Sequence, residues 1–247
     1  MTLARLLSLA VVIVLWTVLA AAVHSSLLPG PVAVAEALVR EARSLALPYH
    51  LACTLLRVVA AFAIAFSLGM AAGFAMGKWG LVDRIGDPWL VILLNLPALV
   101  TIILAYVWIG LNETAAIVAV ALNKFPNVVV LTREGTRALS PELEDVAQVF
   151  CLSAPARIRH IVLPQLAPYL AAAFRSGISI IWKIVLVVEL IGRPNGVGFV
   201  LGSAFSLFDM VTIFAYSIAF IAIMLAVESL IVQPLERNAS RWRRKAA

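Results

Sequence analysis

Apolar residues run through this chain in long unbroken blocks, and polar residues gather in the short intervals between them. Six blocks stand out: Ala4–Ala22, Leu51–Met76, Trp89–Ile109, Thr114–Leu131, Leu166–Ile191 and Met210–Ile231. Each is of the length a helix needs to cross a bilayer, about 20 residues. Only helices and closed barrels satisfy their backbone in lipid, and the strict alternation of a barrel strand is missing. The pattern predicts an all-α membrane protein of about six transmembrane helices, with residues 1–247 forming one transmembrane domain. The first block has an alternative reading as a cleaved signal peptide, because Ala20, Ala21 and Ala22 resemble a cleavage site. Its length favours a retained span.

The intervals carry their own signals. Pro31–Leu47, with Val34, Leu38 and Leu45 on one side, reads as a short amphipathic helix at the membrane surface. Gly77–Pro88 and the Gly-rich stretch Gly192–Phe208 read as loops, and Gly110–Glu113 as a tight hairpin turn. Gly69 and Gly73 have a spacing that permits close helix contact, although glycines are common in membrane helices anyway. Asn95 and Pro97 fall inside the third block, where proline frees a backbone carbonyl and bends the helix. The bend has two readings, a gate on a translocation path or a packing kink.

Composition sharpens the picture. Apolar residues make up 63% and charged residues 13%, and the mean hydropathy is +1.04, well beyond a soluble domain. The formal net charge is +6, which in a soluble protein would raise nucleic-acid binding. Here the cations flank the apolar blocks, so no nucleic-acid partner is expected; attraction to membrane lipids is the simpler account. Lys78, Arg84, Arg133, Arg137, Arg157, Arg159, Arg5 and the basic tail at 234–247 fall on one side, against Arg40, Arg43 and Arg193 on the other. The richer side is expected in the cytoplasm, with both termini there. Cys53 and Cys151 lie near opposite faces and are not expected to pair. His24, His50 and His160 are scattered, so no metal site is expected. No catalytic residue is expected either: HExxH, GxSxG and Walker A sequences are missing.

Ionisable residues within the blocks are costly unless paired or hydrated. Arg57, Lys124, Arg175 and Glu228 lie toward span ends, where they are expected to snorkel. Glu189 and Arg193, at i and i+4, are expected to pair. Lys183 is the deepest, with no acid at i±3 or i±4. It either faces the path of an anionic solute or makes a structural ion pair with Glu189, Glu228 or a second subunit.

The longest polar region, 132–164, holds a helix start: Ser140 can cap, Pro141 suits the first turn, and Glu142 favours the helix N-terminus. Leu143, Val146, Ala147 and Phe150 then recur along one face. Such a short amphipathic helix either lies in a groove on a soluble partner or rests on the bilayer. The residues Glu144-Asp145-Val146-Ala147, Cys151 and Ile161-Val162-Leu163-Pro164 resemble the EAA loop of ABC-type importer permeases, with Asp145 on the family glutamate, Val146 and Ala147 on the alanines and Cys151 on the glycine. Leu186–Gly192 and Gly196-Val197-Gly198-Phe199 are similar to the nitrate/sulfonate/taurine branch. The resemblance implies a type I importer permease bundle in the bacterial inner membrane, with this segment as coupling helix. It further implies a second permease copy, two cytoplasmic ATPase subunits that carry ATP and Mg, and a periplasmic or lipid-anchored solute-binding protein. This chain itself would hold no cofactor. Leu143, Glu144, Asp145, Val146, Ala147, Gln148, Phe150, Cys151 and Pro164 are then the expected ATPase-coupling residues, with Val146, Ala147 and Phe150 as apolar contacts and Asp145 and Gln148 as polar ones. Asn95, Pro97, Lys183 and Glu189 are the candidate path residues. A self-sufficient secondary transporter or channel is the alternative. A glycine-to-cysteine exchange at 151 costs roughly 1 kcal/mol if the turn there needs a positive φ.

Overall fold

The computed structural model describes residues 3–23 and 25–234; the side chain of Arg5, His24 and the basic residues from Arg237 onward lie outside the described residues. The described residues form helices and no strands: α1 (Leu3–Val23), α2 (Pro31–Arg43), α3 (Ala46–Lys78), α4 (Gly80–Asn95), α5 (Ala98–Ile109), α6 (Glu113–Arg137), α7 (Pro141–Val149), α8 (Ala154–Arg157), α9 (Leu163–Gly192), α10 (Val197–Ser206) and α11 (Met210–Val227). A π-turn at Ile158–Val162 joins α8 to α9, and another at Glu228–Val232 continues α11. Four helical stretches are long and apolar enough to cross a membrane: Ala46–Lys78, Glu113–Arg137, Ala154–Gly192 and Met210–Val232. A fifth crossing exists only as the bent pair α4–α5, and α1 contributes a shorter apolar stretch, Ala10–Val23.

Three of the expected elements need correction. The third block is not one kinked helix, because α4 and α5 meet at 100°. Proline disfavours a helical residue before it, and Leu96 accordingly has φ −70 and ψ 123. Helix α4 begins within the expected loop 77–88 because the charges there find partners: Asp83 and Asp87 accept from Arg133 of α6 at 3.3 and 2.6 Å, and Asp83 also pairs with Arg137. The glycine-rich 192–208 stretch is likewise not a loop but contains α10. Its glycines serve close approach, since a Cβ on Gly198 would stand 2.2 Å from the Leu186 carbonyl oxygen of α9.

The bundle is centred on α3, α6 and α9. Gly69 and Gly73 of α3 lie flat against α6, where a Cβ on Gly73 would come within 2.6 Å of the Val129 carbonyl oxygen. The main apolar core fills the half of the bundle away from α7, with Val58, Ala61, Ile102, Ala119, Val120, Ile181, Val185 and Val188 buried together. Trp16 of α1 stacks on Phe214 of α11 with ring centroids 5.7 Å apart, and its indole donates to the Pro29 carbonyl at 3.0 Å.

Polar groups lock that same end. Arg57 does not snorkel; its side chain is 5% exposed and reaches Glu113 at 2.5 Å and the fully buried Glu189 at 2.6 Å. It donates to the Asn195 carbonyl at 2.9 Å and to the Asn195 side-chain oxygen. Glu189 also accepts from Thr54 and from the Gly198 amide, each at 2.9 Å. The expected Glu189–Arg193 pair is absent, because Arg193 turns instead to Glu113 at 2.6 Å. One guanidinium thus ties α3, α6, α9 and the start of α10.

Two stability measurements follow. Gly73→Val should destabilise the bundle by ~1–3 kcal/mol through overpacking at the α3–α6 contact, read as a lower melting temperature in detergent. Glu189→Ala should cost more, ~3–5 kcal/mol, because it removes the buried partner of Arg57 and leaves the buried Gly198 amide without its acceptor; an unchanged melting temperature would remove the network from any structural role.

Candidate functional site

The site with the clearest geometry is the α7 segment. Ser140 caps it: its hydroxyl accepts from the Leu143 amide at 3.3 Å and donates to the Glu142 carboxylate. That hydroxyl, with the Glu142 amide behind it, holds the exposed Glu142 carboxyl below the usual carboxylate range. The Ser140 amide donates to Gln165 at 2.8 Å, anchoring the helix start to α9. Arg157 of α8 closes on Glu144.

The other end is a left-handed turn. Leu152 N–H returns to the Ala147 carbonyl at 2.9 Å and Cys151 N–H to Gln148 at 3.0 Å, the bonding pattern of a Schellman motif. Its C′ position is Cys151, with φ +50. This is the conformation that favours glycine. The side chain at 151 therefore carries the strain expected from the sequence, and the returning bonds hold it in place.

The faces of α7 divide differently from the expectation. Ala147 is 2% exposed. It lies on the side that α7 turns toward its own chain, where the helix meets the Ile158–Val162 turn, so it is not a free contact residue. The exposed apolar positions are Leu143, Val146, Val149 and Phe150, the last two 79% and 74% exposed. Val149 was not singled out by the sequence, because a face drawn through Leu143 and Ala147 assigns the inward side to the partner. Asp145 and Gln148 are exposed and Glu144 half-buried. Pro164 is the second residue of α9, which begins directly after the π-turn. Behind α7 lies a cavity of about 370 Å³ lined by residues that include Phe74, Lys78, Ser140, Glu144, Arg157 and Gln165.

The candidate path residues are not brought together. Asn95 and Pro97 sit exposed at the α4–α5 bend, with the Asn95 amide turned back to the Val91 carbonyl at 2.8 Å. Lys183 is exposed on α9 and pairs with neither Glu189 nor Glu228. Glu189 is sealed in the Arg57 network. Among the described residues no cluster of three or more His, Cys, Asp or Glu side chains could hold a metal.

Comparison with known proteins gives a consistent result. The family model described as "Binding-protein-dependent transport system inner membrane component" matches residues 65–244. A Bacillus subtilis protein named for aliphatic sulfonates transport as a permease is 29% identical over 236 residues, 95% of this chain and 85% of that one. The taurine transport system permease protein of Escherichia coli is 30% identical over 193 residues, 78% of this chain and 70% of that one. A crystal structure of an amino acid ABC transporter with histidines shares the fold, with a TM-score of 0.54 at 20% identity over 79% of this chain and 92% of that one.

The strain at residue 151 has a measurable consequence. Cys151→Gly should relieve ~1 kcal/mol, slowing hydrogen exchange at the Leu152 amide about fivefold. Unchanged or faster exchange would mean that the side chain at 151 carries no strain.

Proposed function

Because this chain belongs to the family of binding-protein-dependent transport system inner membrane components, and is thus a multi-pass, non-enzymatic permease of an ABC importer, we propose that α7 is the coupling helix on which a cytoplasmic ATPase docks. The observation that carries the proposal is the apolar face of Val146, Val149 and Phe150. It stands exposed on a helix capped at both ends and held off the bundle. A short amphipathic helix with its greasy side in water is a groove-binding element. The α7 end of the bundle is then cytoplasmic, as the Lys and Arg bias supports, and both chain termini lie on that side.

Two copies of the chain, two ATPases and a solute-binding protein make the working assembly. ATP and Mg bind the ATPases. Their closure moves the two α7 helices together. Each α7 passes the movement to α9 through Glu144–Arg157 and the Ser140–Gln165 hydrogen bond. The Arg57 network ties α3, α6 and α9 at the ends away from α7, so the parts nearer α7 have the greater freedom to move. The cargo is a small organic anion of the sulfonate class. This is supported by the names of the relatives and by Lys183, which stands exposed on α9 without an ion-pair partner among the described residues. Lys183, Asn95 and Pro97 would face the path between the two copies.

Phe150→Asp tests the docking face without touching the chain's interior. Co-purification of the ATPase should fall about tenfold or more, on the scale of an aromatic interface anchor, while the melting temperature of the isolated permease holds. Undiminished ATPase recovery would remove α7 as the docking element. Ala147→Asp is a poorer probe, because it buries a carboxylate within this chain.

A further inference from the structure

Lys124 of α6 is 1% exposed. Its Nζ is sealed from solvent and has no hydrogen-bond partner among the described residues. The sequence placed it near a span end, free to snorkel, but the bundle instead closes around it. Other buried charges of this chain are answered: Arg57 has two carboxylates, and Glu189 has Arg57, Thr54 and an amide. An ammonium left unanswered in an apolar bundle carries a large desolvation penalty. A bound anion would supply the missing charge.

The surroundings close tightly on that amine. The amine end of Lys124 meets α9 at Gly177. A Cβ there would stand 3.2 Å from Lys124 Cε and 2.7 Å from the Phe62 ring, so only a bare glycine lets both side chains in. Phe62 belongs to a three-ring cluster with Phe66 and Phe174, with centroids 5.0 to 6.1 Å apart. All three rings are half-buried. They lie between α3 and α9 and make an aromatic contact across that seam. Lys183 lies six residues along α9 from Gly177, about 9 Å toward the Arg57 end at 1.5 Å per residue. A solute moving toward α7 thus meets Lys183 first and the level of Lys124 next.

We propose that Lys124 is an interior anion-binding residue of the translocation path. When α3 and α9 part at Phe62 and Phe174, Lys124 opens onto the path between the two copies, and its ammonium receives the sulfonate or carboxylate group of the solute in transit. A carboxylate partner within the protein would have to be displaced at every passage, whereas an unpaired lysine offers its full charge to the solute and releases it when the rings close. This proposal rests on the anion-importer reading above.

The test uses the complete importer in proteoliposomes, with small sulfonates, taurine among them, as probes. Lys124→Met keeps the length of the side chain and removes its charge. The melting temperature should not fall. Sulfonate uptake per ATP should drop at least tenfold. Lys124→Cys supplies the second readout: the cationic 2-aminoethyl methanethiosulfonate, applied during turnover, joins the thiolate as a mixed disulfide with release of methanesulfinate and should restore uptake, and the neutral methyl methanethiosulfonate should not. Equal recovery with both reagents, or recovery with neither, assigns Lys124 to packing and overturns the proposal. If wild type and Lys124→Met move the sulfonate equally, the Lys124 assignment falls and the anion importer stands. If wild type moves no sulfonate but carries an uncharged solute, both fall together.

Discussion

The guanidinium of Arg57 holds the bundle together at the end away from α7, and much of the remaining architecture depends on it. Five donors in a planar fork are divided among Glu113 on α6, Glu189 on α9 and both oxygens of Asn195 ahead of α10. Glu189 then uses its remaining capacity on Thr54 of α3 and the Gly198 amide of α10. Arg57 and Glu189 are desolvated while Glu113 stays exposed to solvent, so withdrawing either buried group leaves the other short of a partner. The helices bearing these groups are forced into one register along their axes, and the apolar core packs beneath them.

At the middle of the bundle the constraint is steric. Gly69 and Gly73 let α3 lie against α6 backbone to backbone, the close approach that membrane helices use where apolar burial offers little drive. At the α7 end the ties are fewer. Salt bridges from Asp83 and Asp87 to α6 hold α4. Helix α7 itself rests on one hydrogen bond to Gln165, one ion pair to Arg157 and the burial of Ala147, with a cavity behind it. The protein is thus tightly determined at one end and lightly tied at the other. That polarity suits a part that receives force at α7 and must transmit it without coming apart at its far end.

The membrane class, the helical content, the approximate positions of the long helices and the existence of a capped helix at 141–150 were all legible in the sequence. Each depends on local terms: the length of an apolar run, the hydrogen-bond demand of backbone in lipid, and the cap chemistry of Ser140 and Pro141. The positive φ at residue 151 was legible too, as a condition attached to the turn. What the sequence could not decide depends on neighbours distant in the chain. Local spacing offered Arg193 to Glu189, but desolvation and the fork geometry favoured Arg57, more than 130 residues away. Periodicity grouped Ala147 with the exposed apolar face of α7, but the returning 154–162 segment covers it. Glycines in 192–208 looked like loop residues until α9 came close enough to require them. Lys124 seemed able to reach water until α3 and α9 closed over it. Hydrophobic pattern and cap residues specify elements, because their energies are settled within a few turns; partners of charged groups and the inward side of a short helix are settled only by packing, because desolvation depends on everything that surrounds the group.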